Sequence, residues 1–322
     1  MPAIRYALGL ALALAAALVH AQSYPSRPIT MVVPFPPGGI ADITGRPLAA
    51  SMSKTLGQQI VVENKAGAGG AVGMAHAAKQ PADGYTVLMA LSSIVIIPEA
   101  DKVNERKPTY QVADFAPVAL ISADPTVLLV PADSPWKTLQ DLINDAKSRP
   151  GKISYSSSGV YGTTHTALEM FAQAAGIKLL HVPYKGGGPA MTALLTREVD
   201  ITAQAPGVGD PHVKAGKVRA LASWGGTRLP SIASIPTMKE LGVDAEFYIW
   251  SGLFAPAGTP PDVLAKLREA ARKAAREDPD FAKAMAGMNT PVAFREGADF
   301  QQFIEQDAAR LAKVIRGMGK VE

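Results

Sequence analysis

The sequence predicts an α/β protein built as two lobes joined by two crossovers, and three patterns carry that reading. Short β-branched runs alternate with helical segments from residue 29 to residue 91, the alternation restarts at Ile121, and the chain closes on amphipathic helices that have no sheet of their own. Helices without a sheet must pack on one already built, so the chain is expected to return from the second unit to the first near Ile249–Phe254. The expected division is residues 22–123 and 248–322 for lobe 1 and residues 124–247 for lobe 2.

The first 21 residues stand outside this scheme. Arg5 precedes the apolar run Ala7–Val19, which is too short to span a bilayer, and Val19-His20-Ala21 fits a signal-peptidase site. Residues 1–21 therefore read as a cleaved signal peptide. No cysteine follows the run to carry a lipid anchor there, and the mature chain, from Gln22, is expected in the periplasm of a Gram-negative host.

In the first unit Ile29–Val33 reads as a strand, Ala41–Leu56 as a helix, Ile60–Glu63 as a strand, Ala68–Lys79 as a helix and Tyr85–Leu91 as a strand, the order of a parallel sheet covered on both faces. Pro47, inside the first helix, should bend it unless the helix starts later. In the second unit Thr126–Val130, Ile153–Ser156, Leu179–Val182, Ile201–Ala203 and Ala220–Ser223 read as strands. Helices are expected over Leu139–Lys147, Thr164–Ala175 and Pro189–Arg197. At the C-terminal end Pro261–Arg276 is an amphipathic helix with proline at its first position, and Ala298–Ile315 is another, ended by Gly317. Pro291–Phe294 is a weak strand between them.

Composition narrows the function. The chain has no cysteine, which excludes disulfides, thiolate metal sites and cysteine nucleophiles. Its formal charge is +4, or +3 once Arg5 leaves with the signal, and no Lys/Arg cluster concentrates it, so nucleic acid is not an expected partner. The mature histidines, His76, His165, His181 and His212, show no metal-ligand spacing, and neither metal nor cofactor is expected.

Three loops are built to present backbone to a ligand, because each joins an apolar run to a helix start and is rich in glycine, proline or hydroxyls. They are PFPPGGIAD at 34–42, YSSSGVYGTTH at 155–165 and VPYKGGGP at 182–189. The first spends three prolines and two glycines on one turn, which makes it stiff and open to close approach. Together they place candidate ligand donors on both lobes.

The order PFxxGGxxD, VVENKAGAGG with PADGYT, DFAPVALI, SSGxxGTTH, VPYKGGGPAMTALL, HVKAGKVRALA and IPTMKELG through GLFAPAGTP resembles the periplasmic solute receptors of tripartite tricarboxylate transporters, the Bug receptors, over about Tyr24 to Met318. The resemblance implies a periplasmic binding protein of the Venus flytrap type that closes on a small organic carboxylate and delivers it to membrane permease subunits. The implied ligands are di- or tricarboxylates, acidic amino acids or aromatic acids, and the expected form is a monomer. It also implies that loop amides, rather than an arginine, hold one ligand carboxylate.

On the first loop this assigns Gly38 and Gly39 as amide donors and Phe35 as a packing wall, with Asp42 ordering water or capping the helix. On the opposite lobe it assigns Ser156, Ser158, Gly159, Gly162, Thr163, Thr164 and His165, with Tyr184 and Gly186 completing the floor. His165 either contacts ligand or caps nearby backbone, and Lys185 either meets a second carboxylate or is solvated. The sequence departs from the family pattern at Ser92–Pro108 and Ala203–Asp210, and ligand identity is expected to be set there.

Other classes fit less well. Gly67–Gly73 spells GxGxxxG, but Glu63–Ala66 separates it from the preceding strand, against a dinucleotide site. No GxSxG elbow supports a serine hydrolase, and an enzyme is not expected. A receptor that presents its ligand to a membrane sensor would use the same closed lobes, and a neighbouring permease gene or binding to a sensor ectodomain would separate the two.

Overall fold

The computed structural model describes residues 24–320, so the signal-peptide reading of residues 1–21 lies outside the described residues. The chain begins with β1 (Ile29–Val33), α1 (Ile40–Leu56), β2 (Ile60–Asn64), α2 (Ala71–Ala78), β3 (Thr86–Leu91), α3 (Ser93–Val103) and β4 (Phe115–Pro125). It continues through β5 (Val127–Pro131), α4 (Leu139–Ser148), β6 (Ser154–Ser157), α5 (Thr163–Ala175), β7 (Leu180–Pro183), α6 (Gly187–Leu195), β8 (Ile201–Gln204), α7 (Pro206–Lys214) and β9 (Val218–Ser223). It ends with β10 (Tyr248–Pro256), α8 (Pro261–Glu277), α9 (Pro279–Gly287), β11 (Val292–Glu296) and α10 (Gly297–Met318).

Two sheets result, in the orders β11-β4-β10-β3-β1-β2 and β7-β6-β8-β5-β9. Both are mixed, which corrects the expectation of parallel sheets. β1 runs parallel to β2 and β3, as β6 does to β7 and β8, but β10 is antiparallel to β3 and β4, and β5 is antiparallel to β8 and β9. The reason is connectivity. The chain leaves the first sheet along β4 and re-enters along β10, so the two strands meet side by side in opposite directions. Between them the connecting segments bond to each other: Trp224 N-H donates to Thr126 O (2.8 Å) and Phe247 N-H to Trp224 O (3.0 Å).

Burial follows from strand period. In β5, Leu128 and Val130 enter the main core while Val127 and Leu129 enter a smaller one beneath α6, so alternate residues serve opposite faces. On α1, Leu48, Ala49 and Met52 are buried, and the helix passes through Pro47 without ending. α10 likewise passes Gly317 and stops at Gly319, one turn-fraction later than expected. β11 confirms the weak strand as an edge strand paired to β4.

Asp124, at the end of β4, is fully buried. Burial pushes its carboxyl up to about 7 from the usual 3.8, against hydrogen bonds from Ser122 and Thr290 that pull it down. The folded protein therefore holds a proton there that the unfolded chain has released above pH 3.8. The resulting stability is complete below about pH 4 and is lost as pH rises through about 7. Asp124→Asn removes this loss. Its melting temperature relative to wild type should rise by several degrees between pH 5 and pH 8 in scanning calorimetry; a difference independent of pH would contradict the assignment.

Candidate functional site

The stiff turn after β1 is braced from below. Asp42 accepts the Gly38 N-H at 3.1 Å and is held by Asn64 Nδ2 at 3.0 Å and Arg46 at 2.8 Å, while Asn64 Nδ2 also donates to Phe35 O at 2.9 Å. Burial alone would raise the Asp42 carboxyl, but these hydrogen bonds outweigh it and hold the group below the ordinary range. Asp42 makes no side-chain cap on α1. Its work is to fix the turn, with Gly38 at φ +83°.

The two lobes meet across that turn and enclose a cavity of about 20 Å³, room for about one water. Phe35, Gly39, Ile40, Ala41, Leu91 and Ile249 line it from the first lobe; Ser158, Thr163, Thr164, Gly187, Gln204, Ala205 and Val208 line it from the second. None of these side chains is charged. Four helices begin at the cavity, α1, α5, α6 and α7, and none has a side-chain N-cap, their caps being Gly39, Gly162, Gly186 and Ala205. An uncapped helix start presents N-H groups with no intrahelical acceptor and a partial positive charge, worth about 0.3–1 kcal/mol to a nearby anion and up to about 2 when partly buried. The hydroxyls add to this: Thr164 Oγ1 accepts Ser158 N-H at 2.7 Å and donates to Ser158 Oγ at 3.2 Å.

Of the expected site residues, the structure brings Phe35, Gly39, Ser158, Thr163 and Thr164 to the cavity wall. The others lie around it with different contacts. Ser156 Oγ lies at hydrogen-bond distance, 2.8 Å, from both Ala190 O and Thr202 Oγ1, and so ties β6 to α6 and β8. Tyr184 donates to Glu198 at 2.9 Å, outside the cavity. Gly186 and Gly159 are points of close approach between the lobes: a Cβ on Gly186 would lie 2.6 Å from Pro36 Cδ, and one on Gly159 2.8 Å from Gly69 N. The GAGG run, which does not make a dinucleotide site, thus supplies Gly69 to the interlobe seam.

His165 is backbone support. Its Nδ1 accepts Tyr161 N-H at 2.9 Å, and its ring stacks on His181 at 4.0 Å, with His181 in turn stacked on Tyr155 at 4.9 Å. Burial, reinforced by the neighbouring His181, pushes His165 down to about 3; burial alone pushes His181 down to about 4. Both are neutral at physiological pH, as an Nδ1 acceptor requires.

Gln204, Ala205 and Val208 fall within the divergent segment 203–210, at the end of β8, the cap of α7 and inside α7, and helix α7 was not expected. Pro206 at its first position was the available signal, masked by Gly207, Gly209 and Pro211. Gly187, Leu91 and Ile249 were not singled out. A larger groove of about 420 Å³ at the crossovers, lined by Trp250, Arg295 and Arg310, is a different surface, where Arg310 already pairs with Asp307.

Two α/β lobes meeting across a donor-rich cavity are the arrangement of a solute-binding protein. Residues 44–320 match the tripartite tricarboxylate transporter family receptor, and the chain belongs to that family. The periplasmic binding protein BugD shares its fold with a TM-score of 0.85 at 34% identity, covering 91% of this chain and 98% of that one. An R. palustris protein solved with adipate matches with a TM-score of 0.84 at 32% identity over 91% and 97% of the two chains. MatC from Rhodopseudomonas palustris, with bound malate, gives 0.84 at 28% over 91% and 100%.

Proposed function

We propose that this protein is a periplasmic receptor that captures a small organic carboxylate between its lobes and delivers it to a tripartite tricarboxylate-type permease. The observation that carries the reading is the convergence of four uncapped helix starts on a cavity with no charged side chain. Such a cavity stabilises an anion and has no carboxylate of its own to repel one. The adipate and malate held by the similar proteins belong to the same chemical class.

In this reading residues 1–21 direct export, residues 22–123 with 248–322 form one lobe and 124–247 the other, and the hinge lies near Ala123 and Tyr248. The closed cavity is smaller than any such acid, so capture requires the lobes to part and close again on the ligand, which favours the closed population. Phe35, Gly39, Ser158, Thr163 and Thr164 are the proposed ligand contacts, joined by Gly187 and Gln204.

A thermal-shift panel on the chain from Gln22 tests this, using citrate, C4 to C8 dicarboxylates, acidic amino acids and aromatic acids. A bound acid at 100 times its Kd adds about 2.7 kcal/mol, a shift of several degrees. A shift with neutral sugars or amides and none with any acid would contradict the proposal.

A further inference from the structure

Tyr161 sits inside the ligand loop of the second lobe yet bonds to the first. Its hydroxyl accepts from Asn104 Nδ2 at 2.9 Å, at the end of α3, and donates to Gly319 O at 2.8 Å, just past α10. The residue is 5% exposed and adopts φ +54°, a left-handed conformation that is uncommon for a side chain of this size. His165 holds it there by accepting its N-H. Three residues earlier on the same loop, Ser158 lines the cavity, and Thr163 and Thr164 follow two and three residues later. The seam around it is tight, since a Cβ on Gly69 would lie 3.2 Å from both Gly162 Cα and Val160 O, and one on Gly317 would lie 3.1 Å from Gln173 Oε1 of α5.

We propose that Tyr161 is an interlobe clasp, a positioning residue that favours the closed form with or without ligand. The proposal rests on the receptor reading above. The logic is geometric. Asn104 and Gly319 belong to elements packed against the six-stranded sheet, and the 158–165 loop belongs to the five-stranded one, so both hydrogen bonds exist only when the lobes are together. Strain in the loop is stored where it aims the ring across the seam. Asn104 and Gly319, the partners of its hydroxyl, lie outside the cavity wall, so the clasp acts on closure and not on ligand choice.

Tyr161→Phe keeps the ring and removes both bonds. By stopped-flow with adipate and with malate, the dissociation rate should rise about tenfold for both acids, with the association rate little changed. Asn104→Ala should act in the same direction, and the double variant should dissociate no faster than Tyr161→Phe alone, because that substitution already removes the bond to Asn104. In small-angle scattering the ligand-free Tyr161→Phe protein should have a larger radius of gyration than wild type. An unchanged dissociation rate, or a change confined to one acid, would overturn the clasp. The scattering arm needs no ligand: if wild type binds no acid of the panel above, that result counts against the receptor reading, while an unchanged radius still overturns the clasp by itself.

Discussion

Replacing Gly159 with alanine is expected to weaken ligand binding by about 10- to 100-fold while leaving both lobes folded. Two features of the position combine. Its φ of +122° is one that side-chain-bearing residues rarely adopt, and the added Cβ would lie 2.8 Å from the Gly69 amide nitrogen of the opposite lobe. The second contact is backbone, so it cannot rotate away; the lobes must stay apart by a fraction of an ångström or shift the loop. Overpacking of this kind costs about 1–3 kcal/mol, about 5- to 150-fold, which brackets the stated range in affinity. The lobes can part to relieve the contact, so the melting temperature without ligand should fall by no more than the strain at φ and the loss of interlobe contacts. Gly69→Ala should reproduce the effect from the other lobe. Calorimetric titration of both variants checks the prediction, and wild-type affinity in Gly159→Ala would show that closure does not bring these loops together. By contrast Gly39→Ala should be mild, because its Cβ has no neighbour nearer than 3.8 Å.

Gln204→Glu should remove carboxylate binding by at least about 100-fold. Gln204 is 1% exposed, lines the cavity and donates from Nε2 to Gly187 O at 3.1 Å and Thr202 Oγ1 at 3.3 Å. The substitution keeps the shape but places a carboxylate where the helix starts would hold the ligand's. Two like charges at about 4 Å cost about 4 kcal/mol at an effective dielectric near 20. The variant also loses the Nε2 donor that meets Gly187 O. Retention of affinity within threefold of wild type would mean that the ligand does not approach Gln204.

How much of this was legible depends on how local each signal is. The loops at 34–42, 155–165 and 182–189 announced themselves because proline, glycine and hydroxyls between a strand and a helix are adjacent in sequence. What their side chains do was not legible, since their partners are distant: Asp42 turns to Asn64, Ser156 to Thr202, His165 to His181 and Tyr184 to Glu198. Helix α3 was hidden by the β-branched run Ile94–Ile97 followed by Pro98, a pattern that local propensity places outside a helix, although the core burial of Ile94, Val95, Ile96 and Ile97 overrides it. The antiparallel β10 joins residues more than a hundred positions apart, and no local pattern encodes that pairing. Gly69 was visible only as a member of a glycine run; its role needs the opposite lobe.

The account's central claim is that backbone amides and hydroxyls at converging helix starts, without any cation, bind a carboxylate. The most direct measurement is a calorimetric titration of the chain from Gln22 with adipate and with its uncharged dimethyl ester, alongside malate. The account predicts saturable binding of at least one of the two acids and none of the ester; binding of the ester with neither acid bound would contradict it.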